Sequence, residues 1–307
     1  MSITKLQEMI RKLKNPTVAG LDPKPEYIPP HIFNKHIAES GETLRAAADA
    51  YYEFNCGLID ALYDIVPAVK PQSAYYEMLG PDGVAALKKT IDYAKGKGLF
   101  VILDVKRNDI GSTAAAYSKA YLGKVSIGSK ELTPYDCDSI TINAYLGSDG
   151  INPFIDSCKK YDKSIFALVK TSNPSSGELQ DLITGDRHLY IAVGDLIERL
   201  SLDTVDEYGF TCVGAVVGAT YPSEARTLRR RLENTFFLVP GYGAQGGGAE
   251  DVAPAFNRLG HGAIVNSSRG IMCAWQKTGG DGSDFKEAAR DEAIRMRDDL
   301  RGVITIV

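Results

Sequence analysis

The sequence predicts an α/β fold: one (β/α)8 TIM barrel spanning residues 1–307 as a single domain, with an N-terminal helix and long catalytic-face loops. Three observations predict it. Eight short apolar segments recur along the chain. Helical patterns separate most of them. Several of the segments run into polar or charged residues at their C-terminal ends, the end at which such barrels carry their chemistry.

The chain opens on Met-Ser-Ile-Thr-Lys-Leu-Gln-Glu-Met-Ile, an amphipathic helix pattern without the long apolar core of a secretion signal. The apolar segments are 17–21, 68–70, 99–105, 139–143, 164–169, 212–217, 236–239 and 262–266. They are rich in β-branched and aromatic residues. Most read as continuously apolar rather than alternating, as strands buried on both faces do. Between the second and third, residues 81–95 space Val84, Leu87 and Ile91 helically and stop at Gly96 and Gly98. Near the C-terminus, Asp284-Phe-Lys-Glu287 has capping-box spacing, and the helix it opens turns Phe285, Ala289, Met296 and Leu300 to one side. Two insertions, 23–48 and 171–190, lengthen the loops after the first and fifth strands. Long loops there are candidate lids, and surface decoration is the alternative.

Composition removes several function classes. A net charge of −4 without a basic stripe argues against a nucleic-acid partner. The cluster Arg229-Arg230-Arg231 reads as a solvated helix face. Five cysteines, odd in number and without a CxxC pair, make neither a disulfide framework nor a zinc site. The four histidines lack paired spacing. No apolar run reaches the roughly 18 residues of a membrane span, so no membrane association is expected. A reducing cytoplasm is the expected location.

The third strand carries the most information. Phe100-Val-Ile-Leu-Asp-Val-Lys-Arg-Asn-Asp-Ile-Gly-Ser-Thr113 is an apolar run ending in Asp104, Lys106 and Asp109. On a regular strand, residues i and i+2 share a face, so Asp104 and Lys106 project side by side in the inward register. Burying such a pair is costly to desolvate, which favours a functional role. Other strand ends are polar too: Gly20-Leu-Asp22, Val69-Lys70-Pro-Gln72 and Lys170-Thr-Ser172-Asn. At one barrel mouth, Lys70, Asp104, Lys106 and Asp109 would alternate in sign. Plainer readings exist: Asp109 and Asp22 as turn residues, Lys70 as a lysine snorkelling outward.

Strands seven and eight run into Pro240-Gly-Tyr-Gly-Ala-Gln-Gly-Gly-Gly248 and Asn266-Ser-Ser-Arg-Gly270. Barrels often bind phosphate with these two loops, using backbone N–H groups and a short helix, and glycines of an ordinary flexible loop are the plainer reading. Arg269 offers a planar fork of donors and Gln245 a neutral one.

These motifs, in this order from about residue 17 to 275, resemble the orotidine 5′-phosphate decarboxylase family, its longer bacterial-type subgroup most closely. The residues carrying the resemblance are Gly20-Leu-Asp22, Val69-Lys70, Asp104-x-Lys106-x-x-Asp109-Ile-Gly-x-Thr113, Ser172-Asn-Pro, Pro240-Gly-x-Gly-Ala-Gln245 and Ser268-Arg269-Gly. The resemblance implies decarboxylation of a nucleotide substrate, orotidine 5′-phosphate, to UMP without metal or organic cofactor. It implies Lys106 as proton donor to C6, Asp104 against the substrate carboxylate, and Lys70 and Asp109 completing the charged array. Asp22 and Lys70 would hold the ribose, Ser172 the pyrimidine, Gln245 and Arg269 the phosphate. It also implies a homodimer in which Asp109 and Thr113 reach the neighbouring site. Two other readings share parts of the pattern: a metal-dependent sugar-phosphate decarboxylase or aldolase, and a non-catalytic phosphate-binding barrel.

Overall fold

A computed structural model describes residues 2–243 and 246–307. Eight parallel strands close into a barrel: β1 (Thr17–Leu21), β2 (Ala68–Pro71), β3 (Phe100–Arg107), β4 (Ser139–Ile142), β5 (Ser164–Lys170), β6 (Val213–Val217), β7 (Phe237–Val239) and β8 (Ala263–Ser267). Their spatial order is sequential, and β1 shuts the ring by pairing with both β2 (Val18 with Ala68) and β8 (Val18 with Asn266). Every residue of β1, β2, β4, β6, β7 and β8 is buried. Each strand faces the barrel interior on one side and a ring of helices on the other, which explains the continuous apolar runs.

The expected N-terminal helix is α1 (Ser2–Leu13), and it plugs the barrel floor. Ile3, Leu6 and Ile10 are fully buried there, each worth roughly 1.5–3 kcal/mol. Ser2 Oγ donates to the carbonyl of Asp138 at 3.0 Å, and Gln7 Oε1 accepts from Gly262 N at 3.1 Å. The 23–48 insertion folds into a single turn (Pro25–Tyr27), α2 (Pro30–Ser40) and the start of α3 (Leu44–Leu62). The predicted 81–95 helix is α4 (Gly80–Gly96), with Leu87 and Ile91 buried. After it come α5 (Gly111–Tyr121), α6 (Ser148–Tyr161), α7 (Leu189–Ser201), α8 (Pro222–Arg231) and α9 (Phe285–Val303). The 171–190 insertion holds two short turns and a ribbon pairing Ile183–Thr184 with Arg187–His188. No helix among the described residues is long and apolar enough to cross a membrane.

Two expectations fail. Asp284 precedes α9 but makes no side-chain cap bond. Its backbone (φ −91°, ψ 14°) lacks the extended shape a capping carboxylate needs. Arg229 is not solvated either. With Ala225 and Leu228 it forms the buried stripe of α8, its guanidinium 4.2 Å from the Phe237 ring centroid. It donates to the carbonyls of Gly262 and Leu232, and burial pushes its pKa down to about 10. Only Arg230 and Arg231 face water.

Candidate active site

The site begins with an irregularity in β3. Leu103 pairs with Ile140 and Arg107 with Ile142, so three residues of β3 stand opposite Thr141 alone. Such a bulge re-aims side chains. Asp104, Val105 and Lys106 occupy it, and Lys106 takes φ 45°, a left-handed conformation costing a non-glycine residue roughly 1–3 kcal/mol. Asp104 and Lys106 therefore do meet, Lys106 Nζ donating to Asp104 Oδ1 at 2.7 Å, but not by regular alternation. Asp104 is buried, whereas the Lys106 side chain is 47% exposed at the mouth and out of the inward register.

Lys70, buried at the end of β2, donates to the other oxygen, Asp104 Oδ2, at 2.9 Å. One carboxylate thus bridges two ammonium groups. Burial alone would raise the Asp104 pKa, but Lys70 and Lys106 overcome it and hold the carboxyl well below its usual range. Burial works against the charged form of Lys70 as well. Asp104 and Asp22 outweigh it and keep Lys70 above its ordinary value. Asp22 Oδ1 is buried and has no hydrogen-bond partner among the described residues.

Asp22, Lys70 and Asp104 line one wall of a cavity of about 460 Å³, whose other wall carries Pro240, Gly241, Asn266, Ser268 and Arg269, and Lys106 reaches this site through its bond to Asp104. Gly20 lets the two sides approach, because a Cβ there would lie 1.9 Å from Ser268 Oγ. The glycine loop after β7 is folded on itself: Gly243 N donates to Gly247 O at 2.7 Å. Tyr242 lines the cavity while its hydroxyl donates to Asp299 of α9, and burial with that carboxylate pushes its pKa up to about 12. Arg269 opens a short helix, Arg269–Met272. Gln245 lies outside the described residues.

The structure gathers Lys70, Asp104, Lys106, Asp22 and Arg269 at one mouth, and leaves others apart. The expected array of four alternating charges contains three in this chain. Asp109 is half-buried beyond the bulge, its Oδ1 accepting from Ile110 N at 2.8 Å, and Thr113 is exposed on α5. Ser172 stands half-buried after β5, packed so closely on Gly218 that a Cβ there would come within 2.8 Å of the Ser172 Cα. It is not among the residues lining the cavity.

Sequence reasoning missed Thr141 and Lys24. Thr141 Oγ1 donates to Asp104 Oδ1 at 2.7 Å and accepts from Lys106 N at 2.9 Å. Its signal was the alternation of Ser139, Thr141 and Asn143 with Ile140 and Ile142. Lys24 lines the cavity with its ammonium 5.3 and 5.6 Å from the ring centroids of Tyr27 and Tyr75.

Residues 21–278 match the model of the orotidine 5′-phosphate decarboxylase / HUMPS family. An orotidine 5′-phosphate decarboxylase of Rhodopirellula baltica is 42% identical over 305 residues, covering 97% of this chain and 98% of that protein. One of Caldicellulosiruptor bescii is 38% identical, covering 98% of each. Among solved structures, an OMP decarboxylase of Leishmania donovani superposes with a TM-score of 0.71 at 31% identity, over 97% of this chain and 100% of that one. The barrel, the charged strand ends and this end-to-end similarity have one conclusion: the chain belongs to the orotidine 5′-phosphate decarboxylase family.

Proposed function

We propose that this enzyme converts orotidine 5′-phosphate to UMP and CO2, the final step of de novo pyrimidine synthesis, in the cytoplasm. The observation that carries the reading is Asp104 held between Lys70 and Lys106 on one wall of a cavity whose other wall presents Arg269. A nucleoside monophosphate has charge at one end and a reacting ring at the other, and the cavity offers complementary groups for both.

The C6–carboxylate bond breaks and its electron pair stays on C6. That lone pair lies in the ring plane, where the π system cannot delocalise it. The Lys106 ammonium stabilises it and then gives up a proton to form C6–H. Lys106 suits this role because it is more exposed than its partner Lys70. Asp104 would face the substrate carboxylate. Asp22 and Lys70 hold the ribose, Ser172 the pyrimidine, and Gln245 and Arg269 the phosphate, whose binding energy positions the distant ring. Asp104 is already occupied by two ammonium groups, an arrangement that needs no metal ion.

Asp109 and Thr113 serve the neighbouring site of a homodimer in this reading. Supporting it, Asp109 adjoins two exposed apolar side chains, Ile110 (55%), next in sequence, and Leu146 (47%), which meets it around Gly150. Purified protein should bleach the orotate absorbance of orotidine 5′-phosphate, with and without EDTA. Loss of activity in EDTA, restored by Mg2+, would contradict the cofactor-free mechanism. Binding without CO2 release would leave a non-catalytic barrel. Mixing Lys106→Ala with Asp109→Ala subunits should restore activity through one intact hybrid site. No restoration after confirmed subunit exchange would contradict shared sites.

A further inference from the structure

Thr141 is the only residue of β4 opposite the three-residue bulge of β3. Its side chain replaces what the interrupted ladder cannot supply. The backbone N–H of Lys106 points at Thr141 Oγ1 (2.9 Å), and the hydroxyl proton goes to Asp104 Oδ1 (2.7 Å). The roles are fixed by chemistry. A backbone N–H can only donate, and a carboxylate held ionised by two lysines can only accept. The hydroxyl has one orientation that satisfies both, and Thr141 is 1% exposed, so water does not compete. Asp104 Oδ1 is also the oxygen that takes the Lys106 ammonium. One side chain thereby grips the backbone of the proton donor and the carboxylate that steers its ammonium.

We infer that Thr141 is a positioning residue for the decarboxylation, holding Lys106 in its left-handed conformation and sharing Asp104 Oδ1 with its ammonium. The inference rests on the decarboxylase reading above. It makes Thr141 responsible for where the ammonium sits relative to C6, not for substrate affinity, since Thr141 is 1% exposed and its hydroxyl is committed to Asp104 Oδ1 and Lys106 N. Misplacing a reacting group by about 1 Å can cost on the order of 100-fold in rate.

The test compares Thr141→Val, which keeps the shape and deletes the hydroxyl, with Thr141→Ser, which keeps the hydroxyl. Rates of orotidine 5′-phosphate consumption are normalised to folded protein measured by circular dichroism. Thr141→Val should lower kcat by about 10- to 100-fold with KM within about threefold of wild type. Thr141→Ser should recover kcat to within about threefold of wild type. If Thr141→Val does not fold, Thr141→Ala makes the same comparison without the methyl groups. The inference is overturned if the hydroxyl-free variant keeps wild-type kcat, or if the serine variant falls as far as it does. Should wild type itself fail to turn over the nucleotide, the decarboxylase reading falls instead, before any variant is compared.

Discussion

Both ends of the barrel carry a buried aspartate among lysines, and the two are used differently. At the floor, Asp138 precedes β4. Its Oδ2 accepts the backbone N–H of Val101 at 2.9 Å, and its Oδ1 faces Lys95 at 3.2 Å and Lys5 at 3.8 Å. Helix α1 covers that end. Here the carboxylate is spent on joining strands and helices. At the mouth, Asp104 also holds two lysines, but among the described residues no backbone N–H bonds to its carboxylate, which lines a cavity of about 460 Å³. A charge cluster is structural when its valences close on the backbone. It is available for chemistry when they close on side chains and the carboxylate itself lines a cavity.

The largest break in this comparison comes from Lys106→Ala. Decarboxylation should fall about 10³-fold or more while the melting temperature stays near wild type, because the lost ammonium is half exposed. Next is Asp104→Asn, which leaves the buried Lys70 without its ionised partner. Denaturant unfolding should show a loss of about 3–5 kcal/mol. The sign with pH follows from the depressed Asp104 pKa. Its stabilisation is fully present above about pH 4, the unfolded value, and is lost as pH falls through the folded value. Lys70 behaves oppositely: its raised pKa gives stability present below about pH 10.4 and lost as pH rises through the folded value. Stability curves of Asp104→Asn should therefore flatten at the acid end. At the floor, Asp138→Asn weakens the Val101 bond and the Lys95 pair, and unfolding should cost about 1–3 kcal/mol less than in wild type. The smallest effect is expected for Lys5→Ala, within about 0.5 kcal/mol, since Lys5 is 53% exposed and 3.8 Å from Asp138.

The barrel was legible because six of its eight strands are buried at every residue and the other two at most of theirs, which writes short apolar runs into the chain. Lys70, Asp104, Lys106, Asp22 and Arg269 were legible for a related reason: charge at the end of such a run has few structural excuses. The bulge was not. Period-two reasoning assumes a regular strand, and the extra residues at 104–106 show only in the pairing with β4. Thr141 hid behind its ordinary preference for strands. Arg229 was hidden by its neighbours, since three consecutive arginines suggest solvent while the spacing from Ala225 and Leu228 decides burial. Asp109 and Thr113 carry a motif whose spacing places them on α5 and the turn before it, yet the chain folds with both outside its own cavity.

The most direct measurement is the rate of orotidine 5′-phosphate decarboxylation by Asp104→Asn and Asp138→Asn, side by side, at matched concentrations of folded protein. Chemistry at the mouth and structure at the floor predict that Asp138→Asn turns over within about twofold of wild type, while Asp104→Asn falls on the order of 100-fold or more. Equal losses in the two variants, or an Asp104→Asn enzyme as fast as wild type, would contradict that division.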